Sequence, residues 1–121
     1  MHVLVIQDHP RRAQSLSAGL EAAGCTWDVA SDAAQALDLA RARPYDAVLL
    51  CPTPDGQPAN EICAALRGEG NRAPIVVLAV SPEPSDQVSA LDAGADDYLI
   101  MPFHPEVFSA RLRSLTRRRR L

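Results

Sequence analysis

Ile75-Val-Val-Leu-Ala-Val80 is an apolar run with no polar residue inside it. A strand with one wet face alternates apolar and polar residues, whereas a strand covered on both faces reads as a continuous hydrophobic run. Val3-Leu-Val-Ile6 and Ala47-Val-Leu-Leu50 share that texture. Weaker runs around Trp27 to Ala30 and Tyr98 to Ile100 predict two further strands, nearer the edges of a sheet.

The segments between these runs have helical spacing. Ala13, Leu16, Leu20 and Ala23 fall on one stripe, with Gly24 as its stop. Ala33, Ala36, Leu37 and Ala40 make a second, capped by Ser31 or Asp32 and closed before Pro44. Ala59, Ile62, Cys63 and Leu66 make a third, and Val88 with Leu91 opens a shorter fourth that stops near Gly94. The last runs through Val107, Phe108, Leu112 and Leu115, with Pro105 suited to a first helical turn.

Five repeats of strand then helix, joined by short right-handed crossovers, predict a three-layer α/β domain with a doubly wound parallel sheet. The functional crevice of such a sheet lies outside the carboxyl ends of its strands. Those ends carry Gln7 and Asp8, Cys51, Ala79 with Val80, and Met101.

The 121 residues suit one domain, and 47% hydrophobic with 22% charged residues is the balance of a soluble globular chain. With only 4% aromatics, the core falls to Val, Leu, Ile and Ala. A net charge of -3 argues against a surface devoted wholly to nucleic acid or anionic membrane. No apolar run approaches the roughly 18 residues of a membrane span, so no membrane partner is expected. Cys25, Cys51 and Cys63 lack CxxC spacing, which predicts buried, reduced thiols in a cytoplasmic setting. The domain is expected over 1–116. The Arg117-Arg-Arg-Arg120 tail within 117–121 reads as a solvated helix end or the start of a linker.

Four pieces of the chain carry a family likeness. They are Gly94-Ala-Asp-Asp-Tyr-Leu99 with Pro102-Phe103, Val3-Leu-Val-Ile-Gln-Asp-His-Pro10, Asp46-Ala-Val-Leu-Leu50 and Ala73-Pro74-Ile75. In order and spacing they resemble the receiver domains of bacterial two-component response regulators, from Val3 to about Leu115. The Asp-Asp-Tyr string and the last helix most resemble the OmpR/PhoB type, in which a DNA-binding domain follows the receiver. The resemblance implies a flavodoxin-like sheet in the order 2-1-3-4-5 and a cis bond at Met101-Pro102. It also implies that any DNA contact comes through a possible downstream domain. A short basic tail adds only salt-dependent, sequence-independent attraction.

Set against that family, the phosphoryl-accepting positions are changed one by one. The acceptor aspartate after strand 3 is Cys51 here, and a thiol is a poor substitute for a carboxylate that must also hold Mg²⁺. Of the acidic pair after strand 1 only Asp8 is acidic, because Gln7 is neutral. The hydroxyl position after strand 4 is Ala79, and the lysine position before the Pro-Phe pair is Met101. Phosphoryl transfer rests on positioning and charge stabilisation, so the expectation is a pseudo-receiver with no enzyme activity, bound metal or cofactor. Asp55, in Pro54-Asp55-Gly56, reads as a turn residue in preference to a displaced acceptor. Tyr98 matches the family's aromatic switch; with Ala79 the coupling is broken, so Tyr98 is expected in one rotamer, inward or outward, whatever the phosphodonor.

The helix 4–strand 5–helix 5 face is the expected homodimer surface. Val88, Leu91 and Ala110 match its apolar patch, and Asp96, Asp97, Arg111 and Arg113 are candidates for its ionic ring. Gln87 stands where a basic residue usually does. The expected role is phosphorylation-independent contact in transcriptional control. Two alternatives remain. One is small-molecule or redox sensing in the pocket around Cys51, where His9 and His104 are the nearest candidate bases in a chain without lysine. The other is a stand-alone adaptor for a different protein.

Overall fold

The computed structural model describes residues 1–7, 10–51 and 59–120, with side chains described except at 10–15 and 119–120. The expectations for Asp8, His9 and Asp55 fall outside these residues. Strands β1 (His2–Ile6), β2 (Thr26–Ala30), β3 (Ala47–Leu50), β4 (Ile75–Ala79) and β5 (Asp97–Ile100) form one parallel sheet in the order β2-β1-β3-β4-β5. The continuous apolar runs are the three central strands, and the two weaker runs lie at the edges, as their composition predicts.

Five helices cover the sheet: α1 (Pro10–Ala22), α2 (Ala33–Ala42), α3 (Ala59–Gly68), α4 (Pro84–Asp92) and α5 (Pro105–Arg120). Because side chains alternate along a strand, each central strand feeds two cores. Leu4, Ile6, Val48, Leu50, Ile75 and Val77 meet α2, α3 and α4 through Ala36, Ile62, Leu66 and Ala90. On the other face, Val3, Val5, Leu49, Val76 and Leu78 meet Leu16 and Leu20 of α1 and Phe108 and Leu112 of α5. Each such fully buried Leu, Val or Phe contributes about 1.5–3 kcal/mol over leaving it exposed.

Local signals set the helix ends. Asp32 caps α2 by accepting from Gln35 N at 2.8 Å, while Gln35 Oε1 accepts from Ser31 N at 2.8 Å. Between the two candidate caps, Asp32 is the one used. Gly24 closes the first crossover at φ +72°. Helix α5 runs unbroken past 116 to Arg120. Val107 departs from the expected core stripe and is 48% exposed. Phe108, Leu112 and Leu115 already define the buried side at i, i+4 and i+7, and Val107 stands about 100° round from them.

Two polar networks tie the elements together. Arg67 reaches from α3 under the α4–β5 turn: Nε and Nη2 donate to Gly94 O at 3.1 and 2.9 Å, and Nη1 donates to Ala73 O at 2.8 Å. Its Nη2 also donates to Asp96 Oδ2 at 2.8 Å, and the same oxygen accepts from Ile75 N at 2.8 Å. Gly94 has φ +117°, and a Cβ there would lie 2.8 Å from Arg67 Cγ, so both its backbone and this arginine exclude a side chain.

At the amino ends of the strands, Tyr45 donates its hydroxyl to Asp28 Oδ2 at 2.7 Å, with His2 Nε2 at 3.0 Å and Arg43 Nη1 at 3.1 Å. The Tyr45 bond, then the His2 bond, holds the Asp28 carboxyl below its ordinary value. Burial and then Asp28 push the Tyr45 phenol up to about 12. The depressed Asp28 contributes stability above its unfolded pKa that is lost as pH falls through the folded value. The raised Tyr45 contributes below its unfolded pKa, and that share is lost as pH rises through about 12. Tyr45→Phe is therefore expected to raise Asp28 and to remove the tyrosine's part of the alkaline loss. Carboxyl-resolved NMR titration with urea melts at both pH limits checks this, and an unmoved Asp28 would refute it.

Candidate functional site

Parallel pairing brings the carboxyl ends of the strands to one edge, and with them four residues singled out from the sequence. Gln7 follows β1 and Cys51 follows β3, with Gln7 N donating to Ala30 O and Cys51 N to Ile6 O, each at 2.9 Å. Ala79 ends β4, and Met101 follows β5 with its N–H on Ala79 O at 2.7 Å. The Met101–Pro102 bond is cis, as expected. Gln7 is 5% exposed, and among the described residues its Oε1 has no hydrogen-bond partner. A buried amide oxygen in that condition is an unmet demand for a donor. Among the described residues, no group of three or more His, Cys, Asp or Glu side chains is placed to hold a metal ion.

Beside Cys51 lies a cleft of ≈ 330 Å³ whose walls include Ala79, Val80, Ser81, Asp86 and Tyr98. Tyr98 is half-buried against the α2–α3–α4 core, and its hydroxyl donates to Ser81 O at 3.0 Å. Burial first, and then the Asp86 charge, raises the Tyr98 pKa against the lowering effect of the Ser81 side chain, so the phenol stays neutral. Cys51 itself is 5% exposed. Burial likewise pushes the Cys25 and Cys63 thiols up, away from reactive thiolate.

The other candidate surface is the outer side of α4, β5 and α5. Ala90 is the one buried residue of α4, which leaves Val88 56% and Leu91 45% exposed. Ile100 on the edge strand, and Val107 and Ala110 on α5, are exposed as well. Ile100 was not singled out from the sequence, because which positions of an edge strand the helices leave uncovered has no mark within the strand itself. Arg111 Nη1 lies 3.2 Å from Asp97 Oδ2, and Arg113 donates to Ser109 Oγ. The structure separates the two adjacent aspartates that the sequence placed together. Asp97 points toward α5, whereas Asp96 is engaged within the chain by Arg67 and Ile75 N. Gln87 folds back toward Pro82 O at 3.5 Å.

No helix among the described residues is long and apolar enough to cross a membrane. Residues 3–113 match the family model described as response regulator receiver domain. The chain is 40% identical over 121 residues to the response regulator MprA of Mycobacterium tuberculosis, covering 98% of this chain and 51% of that protein. It is 36% identical over 118 residues to the transcriptional regulatory protein TcrA of the same species, covering 98% and 47%. The chain thus spans about half the length of the curated relatives it matches. Among solved structures it superposes on a two-component response regulator from Clostridium difficile with a TM-score of 0.86 and 28% identity, covering 100% of this chain and 99% of the other. A Francisella response regulator 1452 receiver domain gives 0.86 and 27%, covering 98% of each. With its sheet order and a family match along nearly its whole length, this chain belongs to the response regulator receiver domains.

Proposed function

We propose that this receiver has lost aspartyl phosphorylation and works by pairing with a second copy of itself, as the regulatory half of a transcriptional regulator. The observation that carries the first part is the set Gln7, Cys51, Ala79 and Met101 at the strand ends, where the family places a carboxylate, the acceptor, a hydroxyl and a cation. None of the four supplies its group. Asp8 alone is a poor Mg²⁺ site. Tyr98, held by the Ser81 carbonyl and facing an alanine, has no hydroxyl at Ala79 to follow. The transcriptional part rests on the name of one relative, the transcriptional regulatory protein TcrA, and any DNA contact would fall to a downstream domain.

Pairing is supported by the distribution of apolar surface and charge. Glu83, Asp86 and Asp92 sit on or beside α4 with no basic residue among them, whereas beyond Glu106 the charged residues of α5 are all arginine. A two-fold axis beside β5 lays the acidic α4–β5 half of one copy on the basic α5 half of the other. Val88, Leu91, Ile100 and Ala110 then meet at its centre, ringed by Asp97 and Arg111. Asp96, occupied by Arg67, drops out of the ring. The internal Asp97–Arg111 pair exchanges for a cross-dimer pair at little cost, since exposed pairs are worth about 0–1 kcal/mol.

Light scattering over a range of concentrations, with no phosphodonor, tests this. The native chain is expected to dimerise, and Arg111→Glu to raise the dissociation constant about 10- to 100-fold, because the axis counts each reversed contact twice. Asp97→Arg combined with Arg111→Asp is expected to restore much of it. An unchanged mass in Arg111→Glu would remove this face from consideration. A native monomer at every concentration would point to an adaptor for a different protein.

A further inference from the structure

We infer that the cleft beside Cys51 is a binding site for a compact apolar organic molecule that is neutral or positively charged, and that it rejects anions. This goes beyond the pairing proposed above and does not depend on it.

The size and the lining agree. A volume of ≈ 330 Å³ lies at the lower end of the roughly 300–1,000 Å³ typical of ligand sites. Val77, Leu78, Ala79 and the Tyr98 ring give it apolar walls, and Asn60 and Ser81 give it a few polar groups. Val80 stands at its edge with 68% of its surface exposed, the most of any large apolar side chain described.

The charge is what sets the ligand class. Asp86 is the single charged side chain among the described lining residues, and it is negative. Ser81 Oγ donates to Asp86 Oδ2 at 2.6 Å, which fixes the carboxylate on the wall. Asp86 also occupies the first turn of α4, where a helix amino terminus would otherwise attract a bound anion. With its own carboxylate already there and no described cation in the lining, the cleft repels a second anion. Helix α4 presents Asp86 and Ala90 to the cleft, and Val88 and Leu91 to solvent.

Three probes of one shape separate charge from fit: 1-naphthylmethylamine, 1-naphthylmethanol and 1-naphthoate, each titrated into the intact chain and followed by amide NMR. The amine and the alcohol are expected to give saturable shifts confined to Cys51, Ala79, Val80, Ser81, Asp86 and Tyr98. The amine should bind about 3- to 10-fold tighter than the alcohol, and naphthoate at least about 10-fold more weakly than the alcohol, for one partly screened charge at contact distance. Asp86→Asn, at an exposed position that leaves the fold intact, should remove the amine's advantage and leave the alcohol within about 2-fold. Arg111→Glu should give the native titration, so that a failure of pairing and a failure of the cleft read differently. Naphthoate binding as tightly as the amine, shifts that never saturate or lie elsewhere, or an amine advantage that survives Asp86→Asn would each overturn the assignment.

Discussion

Incubated with acetyl phosphate and Mg²⁺, the native chain is expected to incorporate phosphoryl groups at least about 1,000-fold more slowly than a variant combining Gln7→Asp, Cys51→Asp, Ala79→Thr and Met101→Lys. The four positions lie at consecutive strand ends on one edge of the sheet, so the substitutions rebuild a site without moving the backbone. On the reading proposed above, Cys51, Gln7, Ala79 and Met101 leave the native chain without the nucleophile, one acidic metal ligand, the phosphoryl hydrogen-bond donor and the neutralising cation. Removing one preorganised electrostatic group commonly costs about 100- to 1,000-fold, and losses within one site overlap instead of multiplying. About 1,000-fold is therefore a floor set by the carboxylate nucleophile and its metal together. Intact-mass spectrometry over time measures it. A Mg²⁺-dependent, acid-stable and base-labile phosphoryl adduct appearing on the native chain at the variant's rate would end the pseudo-receiver reading.

What the sequence discloses and what it hides follow from how local each signal is. Strands β1, β3 and β4 were legible because two-sided burial leaves no place for a polar residue, and that constraint is written within a few neighbours. The order of chemistry-bearing residues at the strand ends was legible for the same reason, since a strand's last residue is fixed by its own run. The outward turn of Val107 was not, because a single apolar residue beside a stripe has no local mark of which side it takes. Asp96 and Asp97 are adjacent in sequence, yet one is committed by Arg67, 29 residues away, and the other by Arg111, 14 residues away. Tyr98 was undecidable until the Ser81 carbonyl was placed 3.0 Å from its hydroxyl. The cleft and the burial of the Gln7 amide are properties of assembled walls, and no short stretch encodes them.

Arg67→Ala is expected to lower stability by about 2–4 kcal/mol, which for a domain of this size is a fall in Tm of roughly 10 °C. The arginine looks ordinary in sequence, in the last turn of a helix, yet its side chain is 20% exposed and its fork reaches three backbone carbonyls and one carboxylate. Truncation leaves the carbonyl of Ala73, a residue 2% exposed, without the donor it now has, and leaves the α4–β5 turn unclasped at Gly94. A buried acceptor stripped of its partner costs the desolvation of that group, about 1–3 kcal/mol, while the replacement gains nothing in return. Arg67→Lys should recover less than half of the loss, because a single ammonium cannot serve Ala73, Gly94 and Asp96 at once. The comparison that isolates burial is Arg41→Ala. Arg41 makes an equally well-formed fork on Glu69, at 2.7 and 2.6 Å, but its side chain is 58% exposed, and its loss should be far smaller. Urea melts of the three variants beside the native chain decide it. Equal losses for Arg67→Ala and Arg41→Ala would mean that the clasp under Gly94 contributes no more than a surface ion pair, and that α4 is held by Ala90 and its turn alone.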